Sequence, residues 1–177
     1  MTSLKAILIV VISLSLSACG FTLRGSQALP EQLTTVIIKS PLQYAPISRT
    51  LSERLPVYQL NGYSMEQAMT MSFVQGSLVQ ITLQPEQLER RLLSMFSNGQ
   101  VAEYELLYTI DYQVQFPDKQ IINHSVTVAR EYQEDPNRIL AKTRELEEVM
   151  QEMRNETADR MIRLLSSQYA TSLPAEE

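Results

Sequence analysis

The chain has 177 residues, with 15 basic and 20 acidic side chains, five glycines, one histidine and one cysteine. That length suffices for one domain with its own core, and the net charge of −5 argues against sequence-independent binding to nucleic acid or to an anionic membrane surface. A lone cysteine excludes an internal disulfide, and the lone His124 leaves a His-Ser-Asp triad one place to form.

Residues 1–18, MTSLKAILIVVISLSLSA, carry Lys5 as their only charge, followed by the apolar stretch Ala6–Ile12 and the small residues Ser13, Ser15, Ser17 and Ala18. A positive start, a short apolar core and a small-residue exit make a secretory signal peptide, too short in its apolar part for a comfortable bilayer span. The exit Leu16-Ser17-Ala18-Cys19 resembles the bacterial lipobox, in which the cysteine sulfur receives a diacylglyceryl group, the signal is cut before it and the new amine is acylated. Cys19 is therefore the expected lipidation site, and this covalent lipid is the only cofactor-like group expected. Several acyl chains anchor stably where one, at roughly 0.8 kcal/mol per buried CH₂, binds marginally. Cleavage leaves 159 residues and removes Lys5, so 14 basic side chains face 20 acidic ones. Gly20, rather than an aspartate, follows the cysteine; among bacterial lipoproteins that points to the outer membrane, with the domain facing the periplasm. The competing reading is a plain secreted protein whose Cys19 lies beside the cleavage point by coincidence.

Residues 19–33 read as the lipidated N-terminus and a polar connector. The β-branched run Thr34–Lys39 predicts a buried strand. Ile47, Leu51 and Leu55 recur at helical spacing and predict a short amphipathic helix ended by Pro56. VYQLNG suggests a short strand and a turn at Asn61-Gly62, with the segment to Thr70 left open. Val79, Ile81 and Leu83 alternate with polar residues as a strand that Pro85 interrupts with a bulge, an edge or a bend. Asn98-Gly99 suits a hairpin turn. From Ala102 to Phe116 every even position is apolar or aromatic, which predicts one long strand with one buried face. Pro117–Lys119 forms a second turn into a strand from about Gln120 to Tyr132. Asp135 is the expected cap and Pro136 the first residue of a long amphipathic helix to about Gln168, with Ile139, Leu146, Met150, Met153, Met161, Leu164 and Leu165 on one face and its methionines filling core gaps.

The resulting expectation is an α+β fold: a small, mostly antiparallel or mixed sheet of about four strands, packed by two helices as an α/β sandwich with a long C-terminal helix. A single domain spans residues 34–169, with a loose tail over 170–177. Nothing advertises catalysis. His124 shares its strand face with Ile122, Val126 and Val128, as a structural histidine would, and the chain shows no Cys/His cluster, Walker loop or glycine-rich dinucleotide turn.

Four stretches, CGFTLRG at the lipidation site, FSNGQVAEYEL across the hairpin, FPDKQI at the next turn and DPNRILAK opening the last helix, together resemble the LptE family of lipopolysaccharide-assembly lipoproteins. The resemblance covers most of the mature chain and implies an α/β sandwich. It further implies a non-enzymatic protein that plugs the outer-membrane β-barrel LptD in a 1:1 complex, helps that barrel assemble, and binds lipopolysaccharide on its way to the surface. By the same resemblance Lys142, in ILAK, matches a basic position used against lipopolysaccharide, whose phosphates suit an ammonium charge. Read without the family, Lys142 is an exposed helix residue. A second basic position of the family falls on Ser97, and Arg90 and Arg91 on the same hairpin arm are candidates to compensate, unless they form an ordinary solvated pair. The acidic residues Glu145, Glu147, Glu148 and Glu152 would repel phosphate, so any contact must be local. The alternative function is an auxiliary lipoprotein of an envelope lipid ABC-type transporter, which needs an apolar groove. A lipid-anchored hydrolase is disfavoured by the lack of acid-base residues around His124.

Overall fold

The structure is a computed structural model that describes residue 29 and residues 33–42, 44–73, 76–135 and 138–172; Cys19 and Pro136 lie outside the described residues. One mixed sheet contains β1 (Thr35–Lys39), β2 (Asn61–Ser64), β3 (Leu78–Leu83), β4 (Gln87–Met95), β5 (Val101–Gln115) and β6 (Ile122–Gln133). The helices are α1 (Pro46–Arg54), the single-turn α2 (Met65–Ala68) and α3 (Ile139–Ser172). β1 lies between β2 and β3 and runs parallel to both, whereas β3, β4 and β6 are all antiparallel to β5.

The α/β sandwich expected from the sequence is the one that forms, with a longer strand list than the four anticipated. Pro85 has no N–H to give to a ladder, and the partner of β5 bends there into two strands. β3 pairs along Tyr112–Gln115 and β4 along Val101–Thr109, on the same edge of β5. Gln84 keeps the bend attached, its N–H donating to the Asp111 carbonyl at 2.9 Å. The other extra strand corrects the reading of VYQLNG. Leu55–Tyr58 form a 3₁₀ turn, Gln59 closes it in the left-handed region at φ 61°, and Asn61-Gly62 then begins β2 instead of making a turn.

Alternation in β5 sorts the two faces. Leu106, Tyr108, Ile110, Tyr112 and Val114 are buried, and Phe116 continues the row just past the strand. They meet Val79, Ile81 and Leu83 of β3, Ile47 and Leu51 of α1, and Met153, Met161 and Leu165 of α3 in one core. The opposite face carries half-exposed polar ladders, with Thr109 to Thr127 at 2.9 Å, Gln113 to Asn123 at 2.9 Å, Gln87 to Asp111 at 3.1 Å and Arg91 to Glu105 at 3.0 Å.

Two long-range ties hold the helices to this frame. Arg54 at the end of α1 forks onto Asp159 of α3 at 2.8 and 2.6 Å, the bidentate geometry that favours arginine over lysine. Ala45, at the N-cap of α1, gives no side-chain cap. Glu86, in the β3–β4 bend, replaces it: one carboxylate oxygen accepts the Ile47 N–H at 2.9 Å while the other accepts two Arg154 N–H groups at 3.2 Å. One residue thus satisfies an orphan helix donor and fixes α3 against both α1 and the sheet.

α3 begins at Ile139, later than the Asp135 cap and Pro136 predict, and extends to Ser172. Met153 and Met161 are fully buried, as expected of gap-fillers, but Ile139 and Leu164 are exposed. The first turns are largely exposed, and of these Lys142, Leu146, Val149 and Met150 are half-buried, the last three packed against the core.

Candidate functional site

The sequence-predicted site residues fall around the β4–β5 hairpin and the start of α3. β4 is exposed along nearly its whole length, in contrast to β3. The register places Leu88, Arg90 and Leu92 opposite Tyr108, Leu106 and Tyr104, on the helix-side face, and Arg91 opposite Glu105 on the polar face. Arg90 and Arg91 therefore point to opposite sides of the sheet and do not form a joint patch. Arg91 is held by Glu105 at 3.0 Å and Glu89 at 4.0 Å. Period-two alternation in a strand already implied this separation.

The hairpin closes through Ser97, Asn98 and Gly99. The Gly99 N–H donates to the Phe96 carbonyl at 2.9 Å with Gly99 at φ 84°, and Asn98 Oδ1 accepts the Gln100 N–H at 3.0 Å. Only Gly99 takes a positive φ, the pattern of a three-residue loop ending in a left-handed glycine. Ser97 is exposed at this tip, beyond the last β5–β6 rung at Glu103 and Gln133.

Lys142 departs from the picture of an ordinary exposed lysine. Its side chain is only 16% exposed, and its ammonium sits 5.0 Å from the centre of the Tyr132 ring. Glu145 accepts from it through both carboxylate oxygens, at 2.8 and 2.9 Å. The Tyr132 hydroxyl donates to the Lys142 carbonyl at 2.7 Å. Burial pushes the Tyr132 hydroxyl up in pKa, with Glu134 and Glu145 adding to this and Lys142 and Arg90 opposing it. Tyr132 thus fixes both the backbone and the ammonium of Lys142, with Arg90 close enough for its charge to be felt. Sequence reasoning singled out neither Tyr132 nor the Lys142–Glu145 pair. The i,i+3 spacing of Lys and Glu was the available signal.

His124 lies where alternation puts it, its ring stacked on Tyr112 at 5.8 Å and its Nε2 buried without a hydrogen-bond partner. A recess of about 480 Å³ nearby is lined by Gln84, Asp111, Tyr112, Gln113, Asn123, His124 and Ser125. Asp111 and Ser125 are register partners on the other face of the strand pair, so acid, hydroxyl and imidazole do not converge as a triad requires. Among the described residues no group of three His, Cys, Asp or Glu side chains is placed to hold a metal, and no helix is long and apolar enough to cross a membrane.

The chain has relatives among known proteins at the level of family and fold. Residues 33–165 match the family model described as "LptE: Lipopolysaccharide-assembly". The chain is 33% identical over 149 residues to an LPS-assembly lipoprotein LptE of Pectobacterium atrosepticum, covering 84% of this chain and 77% of that protein. It is 30% identical over 163 residues to one of Yersinia pestis, covering 89% and 72%. Among solved structures, rare lipoprotein B of Shewanella oneidensis superposes with a TM-score of 0.64 at 29% identity, over 77% of this chain and 97% of that one. With the family match over residues 33–165 reaching from Leu33 to Leu165, the first and last residues of the buried core, this chain belongs to the LptE family of lipopolysaccharide-assembly lipoproteins.

Proposed function

We propose that the protein is the lipid-anchored plug of the outer-membrane barrel LptD, bound one to one, that it assists assembly of that barrel, and that it holds lipopolysaccharide through a basic site centred on Lys142. The observation that carries this reading, beyond family membership, is the sheet face opposite the helices. Its Gln, Thr, Asn, Ser and Glu side chains already satisfy one another in ladders, so they present a preformed polar surface to the wet lumen of a barrel and leave few groups stranded on docking. The core, by contrast, is fully enclosed between this sheet and two helices. The protein acts by binding and carries out no catalysis. Cys19 supplies the tether to the outer membrane, and a tether raises the local concentration of plug around barrel.

Lys142, steadied by Tyr132, is the contact of choice for a lipid A phosphate. Arg90 shares the helix-side face and supplies a second charge, whereas Arg91 serves the polar face. The test is purification of the tagged, lipidated full chain from outer membranes in mild detergent. A stoichiometric large β-barrel is expected to remain bound. Recovery of inner-membrane transporter subunits in its place would overturn the plug reading in favour of an auxiliary lipid-transport lipoprotein.

A further inference from the structure

The Lys142–Glu145 pair is unequal. The lysine side chain is 16% exposed and the glutamate 49%. The cation is fixed from below by the Tyr132 ring and through its own carbonyl, whereas among the described residues the Glu145 carboxylate is held by the Lys142 ammonium at the end of a flexible stem. The carboxylate, bound through both oxygens, occupies the position that two oxygens of a phosphate monoester would take on the same ammonium. In this arrangement the anion is the movable half.

We propose that Glu145 is an internal competitor for Lys142, seated where an anionic phosphate headgroup binds, and that Tyr132 is the positioning residue that keeps the ammonium in place during the exchange. This rests on the reading of Lys142 as a lipopolysaccharide contact. An incoming phosphate binds only the fraction of molecules in which Glu145 has swung away, so the apparent affinity falls by that fraction. The exchange replaces one anion on Lys142 by another and leaves no charge stranded, so binding is weak enough to reverse, as suits a ligand in transit. Arg90, whose charge already acts on the Tyr132 hydroxyl, adds attraction for the incoming phosphate.

Binding of fluorescent lipopolysaccharide to the full mature chain in mild detergent tests this, with wild type, Lys142→Gln, Glu145→Gln, Glu147→Gln, Tyr132→Phe and Tyr132→Leu compared. Glu147→Gln removes the same charge from the same helix without touching the pair. The expected result is weaker binding by Lys142→Gln and tighter binding by Glu145→Gln, by about threefold to fivefold on the strength of partly exposed ion pairs, with Glu147→Gln close to wild type. Tyr132→Phe, which keeps the ring under the ammonium, should retain most of the binding that Tyr132→Leu loses. If Lys142→Gln binds as well as wild type, the contact itself is wrong. If Lys142→Gln weakens binding but Glu145→Gln is no tighter than Glu147→Gln, the contact stands and the competitor role is overturned. Inorganic phosphate at matched concentration should not displace the lipid from Glu145→Gln; displacement would assign the site to free phosphate and overturn the lipid headgroup as its ligand.

Discussion

Three buried tyrosines carry a pH signature. Tyr108 and Tyr112 lie fully inside the core and Tyr132 beneath Lys142. Burial is the first cause that pushes each hydroxyl above its ordinary pKa, and Glu86 adds to it at Tyr108. A phenol whose pKa is higher folded than unfolded contributes stability that is complete below the unfolded value, about 10, and is lost as pH rises above it, because the unfolded chain releases its proton first. Stability should therefore be flat on this account up to the ordinary tyrosine range and then fall, each group adding up to about 1.4 kcal/mol per pH unit. Chemical denaturation followed at stepwise alkaline pH would show this, with the phenolate absorbance of the buried rings appearing together with unfolding. Early titration of all eight tyrosines would contradict it.

Glu86 and Gly99 decide matters at the scale of the element. Glu86→Ala would leave the Ile47 N–H uncapped and Arg154 without its carboxylate, two losses that together cost about 2–4 kcal/mol. Glu86→Gln retains an oxygen for the cap and should cost clearly less, a difference that denaturant midpoints would resolve. At the hairpin tip, Gly99→Val forces a β-branched residue to φ 84° and should cost about 1–2 kcal/mol. The same change at Asn98 should cost less, since it loses only exposed bonds to Gln100, Oδ1 accepting from its N–H and Nδ2 donating to its side chain, with no positive φ to strain. Thermal shifts of the two variants check the order, and equal shifts would mean that both positions need positive φ. How far these elements were legible follows from how local their signals are. The alternation of β5, the break at Pro85 and the buried methionines of α3 could all be read from spacing within a dozen residues. The Glu86 cap could not, because its partners stand 39 and 68 residues away, and no local pattern encodes such a contact. β2 was missed for a related reason: its four residues, NGYS, have turn composition and become a strand through parallel pairing with β1.

At the scale of the whole molecule, the fold class and its long helix were visible in sequence, and the family resemblance agreed with them. What remained hidden was the placement of the candidate site, since the facing of Lys142 onto Tyr132 depends on how 34 helical residues are laid across a sheet. Among the described residues, the buried cluster of the core begins at Leu33, and Leu29 packs against it. Cys19→Ala should accordingly leave the domain folded and as stable as wild type while releasing it from the membrane. Fractionation together with a melting curve tests both halves of this expectation, and a variant that stayed in the membrane fraction would refute lipidation at Cys19.

The bend at Pro85 divides one edge of β5 between two very different neighbours. β3 lies beneath the helices with alternate residues fully buried, and β4 is exposed nearly throughout, although both bond to the same strand. Amide exchange should separate them. The β3 amides should exchange only when the entire domain unfolds, whereas those of β4 should exchange through opening of the hairpin alone, several kcal/mol sooner on the general scale of local against global opening. The molecule would then consist of a solid body and an arm that can reshape itself against a neighbour without placing the body at risk.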